Sequence, residues 1–174
     1  PTEYKDFEDG QHYLSLSKTE RDMVDLVCSN FDNVVLVYNG ANTLELGFVD
    51  EHPQIKSVIW CPGTGQTGFN ALGEIVAGEV NPSGHSADTF VYDLTATPSF
   101  NNIGDFTYTN ADSLGYTAAG SFGRDPEQVT PHFVNYVEGI YVGYKFYETA
   151  AAEGLIDYDK TVQYPFGHGL SYTT

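Results

Sequence analysis

Basic residues are scarce in this sequence: seven lysines and arginines stand against 24 aspartates and glutamates, which gives a formal net charge of −17. Because phosphate backbones and anionic lipid surfaces are bound through lysine and arginine, this shortage disfavours nucleic acid and membranes as partners. No apolar run approaches the roughly 20 residues that a membrane-spanning helix needs. We therefore expect a soluble protein, cytoplasmic or secreted, with a neutral or cationic partner.

Cysteine is equally rare, with two residues in the chain. Cys28 lies in a helical pattern and Cys61 at a strand end, and both positions are typical of small core residues. Their spacing does not suggest a disulfide, although it does not exclude one. The histidines are scattered without metal-ligand spacing, so no metal site is predicted. They are His12, His52, His85, His132 and His168.

The remaining pattern is that of one globular domain of 174 residues. A Ser-x-x-Glu capping box at Ser17 predicts a helix that runs to about Asn30. Apolar, β-branched runs and helical periodicity then alternate along the chain, which predicts an α/β protein with a layered sheet. The predicted elements are strands over 34–38, 55–60 and 88–94 and helices over 43–49 and 67–80.

The stretch from 55 to 76 reads as a strand, a glycine loop and a helix. Trp60 is the single tryptophan and ends the strand. Open α/β sheets bind ligands at the carboxyl ends of their strands, and aromatic rings stack on sugars. Trp60 is therefore the first aromatic candidate for a binding site.

The glycines of this loop also form a Gly-x-Gly-x-x-Gly match, which is typical of dinucleotide sites. Asp93 lies near the acidic position that such sites use for ribose. Against this interpretation, Pro62 removes a backbone donor before the first glycine, and the net charge repels a pyrophosphate. A nicotinamide-dependent oxidoreductase domain stays an alternative, and otherwise no cofactor is predicted.

Carboxylates are abundant, but none is singled out by spacing. Glycoside hydrolysis needs two that flank the scissile bond. Glu138 lies among aromatic residues, where desolvation would raise its pKa. Glu8 and Asp9 lie in a predicted loop. For each of them we expect a solvated or structurally paired carboxylate.

The segment 95–131 has no regular pattern and is rich in Asn, Gly, Ser, Thr and aromatic residues. Its aromatic content is too high for a disordered linker. We expect a long surface excursion that packs on this domain or on a neighbouring one.

Three segments together resemble the C-terminal α/β-sandwich domain of family 3 glycoside hydrolases, the β-glucosidase and β-xylosidase family. The first is the Gly65-Gln66-Thr67-Gly68 loop and helix, with the Asn-Pro-Ser-Gly turn at 81–84. The second is Glu-Gly-Ile-Tyr-Val-Gly-Tyr-Lys-Phe-Tyr at 138–147. The third is Tyr-Pro-Phe-Gly-His-Gly-Leu-Ser-Tyr at 164–172, and Tyr-Leu-Ser-Leu at 13–16 also fits.

The resemblance implies a three-layer α/β/α sandwich with a mostly parallel sheet, a flavodoxin-like variant with one antiparallel strand. Residues 1–163 would form this domain, with the excursion 95–131. Residues 164–174 would begin a linker to a fibronectin-III-like domain.

The resemblance also implies part of a retaining β-glycosidase acting on a β-glucoside or related oligosaccharide. In that family the nucleophilic aspartate lies in a (β/α)₈ barrel domain, and the acid/base glutamate lies in a loop expected just upstream of Pro1. Neither Glu3 nor Glu8 has the matching context, so no catalytic residue is assigned. Trp60, Gly65 and Gln66 are the predicted substrate-binding residues. A non-catalytic carbohydrate-binding module is the other alternative.

Overall fold

The computed structural model describes residue 12 and residues 14–102, 106–118 and 127–169. The chain divides into two compact units, Pro1–Leu94 with Gly143–Thr174 and Thr95–Val142. The described helices are α1 Lys18–Asn30, α2 Phe48–Glu51, α3 Phe69–Val76, α4 Pro98–Asn102, α5 Ala111–Leu114, α6 Tyr144–Ala152 and α7 Tyr158–Thr161. The described strands are β1 Val34–Tyr38, β2 Ile55–Trp60, β3 Phe90–Val91, β4 Phe106–Thr107, β5 Tyr116–Ala118, β6 Glu127–Val129, β7 His132–Phe133 and β8 Val162–Tyr164.

Helix α1 begins at the predicted capping box. The Ser17 hydroxyl accepts the amide hydrogen of Glu20 at 3.3 Å, and the Glu20 carboxylate accepts the amide of Ser17 at 2.9 Å. These bonds satisfy amides that the start of a helix leaves without partners. Val24 and Cys28 lie one turn apart on the inner face and are buried. The prediction of this helix is confirmed.

Strands β1 and β2 are parallel neighbours, and their register pairs Leu36 with Val58. Both of these side chains pack against the first core cluster. On the opposite face, Val35 is 47% exposed. The pair is therefore covered by described residues on one face and open on the other. The buried residues of the first cluster are Val24, Cys28, Leu46, Phe48 and Phe90.

Strand β3 is shorter than predicted and runs antiparallel to β8, with Phe90 opposite Tyr164. The residues before it make local bonds instead of a ladder: the Thr89 amide donates to the Asp88 carboxylate at 2.8 Å. Such side-chain bonds compete with sheet pairing. The prediction of a third strand over 88–94 is therefore correct for two residues only.

A second core cluster lies where β3 meets the C-terminal elements. Val91, Tyr147 and Val162 are its buried residues. Burial raises the pKa of the Tyr147 hydroxyl to about 12, so this side chain is neutral at physiological pH. Because Phe90 belongs to the first cluster, β3 contributes one residue to each core.

The helix predicted over 43–49 begins only at Phe48, as α2. The residues before it are not helical, and the Glu45 amide donates to the Leu14 carbonyl at 2.9 Å. A backbone amide that is bonded to a distant carbonyl cannot also close a helical turn.

The helix predicted over 67–80 is α3, which is shorter at both ends. Its C-terminal end is a Schellman turn. Gly78 adopts a φ of +77°, and the Glu79 amide donates to the Glu74 carbonyl at 2.9 Å. Glycine is favoured there because other residues are strained at positive φ.

The second unit contains regular elements where the sequence shows no clear pattern. Strands β4 and β7 are antiparallel, and the ring of Phe106 stacks on that of Phe133 with centroids 5.6 Å apart. Strands β5 and β6 pair Tyr116 with Val129. The described parts of the segment 95–131 thus form short helices and strands within a compact unit.

The α/β class is confirmed. The strands of the described residues form four two-stranded sheets, of which β1–β2 is parallel and the other three are antiparallel. The mostly parallel three-layer sandwich is not confirmed by these residues, since three of the four described strand pairs are antiparallel and β3 pairs with β8 rather than with β1 or β2. None of the described helices has the length and apolar character needed to cross a bilayer.

Candidate functional site

The candidate site lies at the carboxyl ends of β1 and β2, where Tyr38 is opposite Trp60. The two chain segments that leave this edge are bonded to each other. The Trp60 indole N–H donates to the Gly40 carbonyl at 2.8 Å, and the Asn39 amide Nδ2 donates to the Cys61 carbonyl at 2.7 Å. The Cys61 amide donates back to the Tyr38 carbonyl at 3.0 Å. Both strand ends are therefore fixed relative to each other.

Trp60 is half-buried and meets the ring of Phe90 edge-on, with centroids 5.2 Å apart. Its position at the strand end agrees with the sequence prediction. Because its N–H is already bonded, the indole can offer a ligand only ring surface and no free donor. Contact between this ring and a sugar stays a prediction.

Gly65 and Gln66 lie in the loop that follows Trp60, and both are exposed. Gly63 and Gly65 have φ values of +54° and +63°, which glycine adopts without strain. The loop is closed by a bond from the Gly68 amide to the Thr64 carbonyl at 3.0 Å. The structure thus brings the three predicted substrate-binding residues into one strand-end segment, and their contact with substrate stays a prediction.

A cleft of about 750 Å³ runs along β2, and Val35 of β1 also lines it. All six residues of β2 line it, together with residues 82 and 84–87 and the segment around Tyr164 and His168. Its walls are mainly apolar, which is typical of ligand clefts. Trp60 lines this cleft, whereas Gly65 and Gln66 lie outside its lining.

His85 and His168 line the cleft, although no sequence pattern singled them out among the scattered histidines. The His85 Nδ1 atom lies 2.9 Å from the Gly167 carbonyl. The Ser86 amide donates to the His168 carbonyl, and the Gly167 amide donates to the Ser86 carbonyl, both at 2.7 Å. The two motifs at 81–84 and 164–172 were the signal for this junction, since the residues that follow the first bond those of the second.

Tyrosine hydroxyls near the site are neutral. Burial raises the pKa of Tyr38 and is the main cause of a raised pKa at Tyr164. The Tyr38 hydroxyl donates to the Asn42 carbonyl at 2.8 Å. These groups can orient backbone or ligand but do not supply a charged base near neutral pH.

The other candidates are dispersed. Glu138 lies half-buried in the second unit, whereas Glu3, Glu8 and Asp9 lie outside the described residues. Cys28 and Cys61 are free thiols. Within residues 14–102, 106–118 and 127–169 and at residue 12, no group of three or more His, Cys, Asp or Glu side chains could hold a metal.

The dinucleotide interpretation gains no support from the geometry. The Gly68 amide, which would face a phosphate, is used within the loop. Asp93 is exposed and follows a strand that pairs antiparallel with β8. A Rossmann unit would need a parallel third strand there.

Alanine at Gly68 should destabilise the first unit, while alanine at Gly73 should stabilise it. A Cβ at Gly68 would collide with the Thr64 carbonyl oxygen, a backbone atom that cannot move cheaply. Gly73 lies inside α3 with no heavy atom within 4 Å of an added Cβ, so alanine there should add about 0.5–1 kcal/mol. Paired urea titrations of the two variants check the opposite signs, and equal shifts would contradict the loop geometry.

A family model and several known proteins match this chain over most of its length. Residues 3–144 match the family model described as the glycosyl hydrolase family 3 C-terminal domain. The chain is 34% identical to β-glucosidase A of Butyrivibrio fibrisolvens, over 98% of its own length and 17% of that protein. It is 31% identical to thermostable β-glucosidase B of Acetivibrio thermocellus, over 99% of its length and 18% of that protein.

A solved structure of a β-glucosidase from Paenibacillus barengoltzii superposes on the chain with a TM-score of 0.70 at 26% identity, covering 98% of this chain and 15% of the other. The chain thus spans less than one fifth of the relatives it matches. Since the family model covers most of its residues, this chain belongs to glycosyl hydrolase family 3 and corresponds to that family's C-terminal domain.

Proposed function

We propose that the chain is part of a retaining β-glycosidase and forms one wall of its sugar site. The observation that carries the proposal is the match to the family 3 C-terminal domain, with relatives named β-glucosidases. The substrate would be a β-glucoside or a related oligosaccharide. These relatives give no support to a nicotinamide-dependent oxidoreductase or a separate carbohydrate-binding module.

The chemistry needs two carboxyl groups about 5–5.5 Å apart. One is the nucleophile and the other protonates the leaving group and then activates water. We assign neither role to a described residue. Instead, the strand-end loop would help to exclude water and orient the sugar, with Trp60 supplying ring surface and Gly65 and Gln66 supplying exposed backbone and amide groups.

The remaining domains are expected to cover surfaces that this chain leaves open. Val35 on β1 and Phe69 on α3 are 47% and 51% exposed. Large exposed apolar surface in one chain marks an interaction site.

We infer that β1 and β2 belong to a mostly parallel sheet of a three-layer sandwich over residues 1–163, a flavodoxin-like variant.

The second unit also exposes apolar side chains that a neighbouring domain would cover. Tyr136 is 83% exposed, and Val137 and Ile140 beside it are also largely exposed. A (β/α)₈ barrel domain, or a fibronectin-III-like domain reached through residues 164–174, would bury such residues in the complete enzyme.

The purified 174-residue chain should not hydrolyse aryl β-glucosides. A wall without the carboxylate pair can bind weakly but cannot form a glycosyl intermediate. Release of nitrophenol from the aryl glucoside, followed over hours, is the measurement. Turnover above the rate with buffer alone would show that a catalytic carboxylate lies within this chain, with Glu138 the first to test by a Glu138→Gln substitution.

Calorimetry separates the alternatives. Half of a sugar site should bind glucose and cello-oligosaccharides barely or not at all, because most contacts lie in another domain. Binding by the chain alone in the micromolar range would favour a carbohydrate-binding module instead. Saturable NADH fluorescence would favour the oxidoreductase.

A further inference from the structure

Asn39 directly follows β1, and its side chain reaches across to the end of β2. The Asn39 Nδ2 atom lies 2.7 Å from the Cys61 carbonyl oxygen, a separation of 22 residues in the sequence. Two other bonds join the same strand ends, from the Trp60 indole to Gly40 and from the Cys61 amide to Tyr38. Of the three donors, the Asn39 amide is the one that can be changed without altering the backbone or removing the tryptophan ring.

The Cys61 carbonyl is the last bonded group before the glycine loop. Residues 62–68 then contain two glycines at positive φ, a backbone type with many accessible conformations. The direction in which this loop leaves β2 is therefore set by the peptide plane of Cys61. A donor on that carbonyl fixes the plane, and the loop that carries Gly65 and Gln66 starts from it.

We propose that Asn39 is a positioning residue, which acts on the sugar site by holding the Cys61 carbonyl and hence the loop 62–68. This proposal rests on the proposed function only for the statement that the loop faces sugar. The bond itself and the order of the loop do not depend on it. Asn39 would touch neither substrate nor the reacting atoms.

The side chain at position 39 has to be a hydrogen-bond donor to make this contact, because its partner is a carbonyl oxygen. The amide group of asparagine donates to a carbonyl, whereas an aspartate of the same shape has no donor above its pKa and would repel the carbonyl oxygen. When the carboxyl group of this aspartate is protonated, its O–H group can again donate a hydrogen bond. An Asn39→Asp substitution should therefore break the contact at neutral pH and restore it below about pH 4.

The single tryptophan makes a local measurement possible. In the 174-residue chain, Asn39→Asp should raise acrylamide quenching of Trp60 fluorescence about twofold, since the neighbouring Gly40 carbonyl moves with Asn39. It should speed hydrogen exchange of the two hydrogen-bonded amides of this segment, those of Cys61 and Gly68, about tenfold and leave those of α1 unchanged. Asn39→Ser is neutral and too short to reach Cys61, so it removes the bond without adding a charge. It should free the loop in the same way as Asn39→Asp, which would show that loss of the bond, and not the new charge, causes the effect.

Asn42→Asp is the matched control. It adds the same charge three residues away, where the exposed asparagine contributes its backbone carbonyl to the Tyr38 bond. This variant should behave like the unsubstituted chain in quenching and exchange. Equal effects of Asn39→Asp and Asn42→Asp, or no recovery of the Asn39→Asp variant below about pH 4 relative to this control, would overturn the proposal.

The same variants in the complete enzyme test the link to catalysis. Asn39→Asp should raise KM for an aryl β-glucoside about tenfold with a smaller change in kcat, because a positioning loop acts mainly on sugar binding. A freed loop with unchanged KM and kcat would refute the positioning role. A complete protein without glycosidase activity would refute the proposed function, while the exchange result would still decide whether Asn39 holds the loop.

Discussion

Replacing Phe90 by alanine is expected to lower the free energy of unfolding by about 3–5 kcal/mol, the usual cost of truncating a buried phenylalanine. Phe90 is 4% exposed, and its ring contacts Trp60 at a centroid distance of 5.2 Å and Tyr164 at 6.2 Å. The substitution would remove both aromatic contacts and leave a cavity between β2 and β8. Such a loss is a large fraction of the stability of a typical domain.

Phe69→Ala is the control for this experiment. Phe69 is of the same residue type but is half exposed on α3, so its truncation should cost less than about 1 kcal/mol. Urea titrations followed by circular dichroism give both values. A loss at Phe90 that is no larger than the loss at Phe69 would show that the first core cluster is not organised around this ring.

Stability should also depend on the charge of His52, which joins α1 to α2. Its Nδ1 atom lies 2.7 Å from the Phe48 carbonyl oxygen, and its Nε2 atom lies 2.8 Å from the Asp25 carboxylate. Both partners only accept hydrogen bonds, so the ring makes both bonds only when both nitrogens carry protons. The Phe48 carbonyl is the main cause that raises the pKa of His52 above 6.5, and Asp25 and Glu51 raise it further against the opposing effect of burial.

The direction of the pH effect follows from this raised pKa. The stabilisation is fully present below the unfolded pKa of about 6.5 and is lost as pH rises through the higher folded value. The melting temperature of the chain should therefore exceed that of a His52→Gln variant by more at about pH 5.5 than at about pH 9. His132→Gln, at an exposed position on β7, is the control for the substitution itself. A His52→Gln difference that is constant with pH would contradict a charged His52.

Local signals in the sequence predicted local structure well. The capping box at Ser17 gave the start of α1, and the β-branched runs gave β1 and β2 within their observed bounds. The position of Trp60 at a strand end followed from the same run. These features depend on residues a few positions apart, whose preferences act without help from the rest of the chain.

Features that depend on distant residues were missed. The late start of α2 depends on the bond from the Glu45 amide to the Leu14 carbonyl, 31 residues away in the sequence, whereas the shortness of β3 involves local bonds around Asp88 that the strand pattern did not reveal. In the candidate site, no role was predicted for Asn39. Its contact with Cys61, like that of His85 with Gly167, joins residues with no common sequence pattern.

Strand β3 gives one residue to each core, Phe90 to the first and Val91 to the second. Two side chains that share one peptide bond cannot leave their cores independently. The first unit should for this reason unfold cooperatively, although its two hydrophobic clusters are separate. A destabilising substitution in either cluster should lower the melting temperature of both.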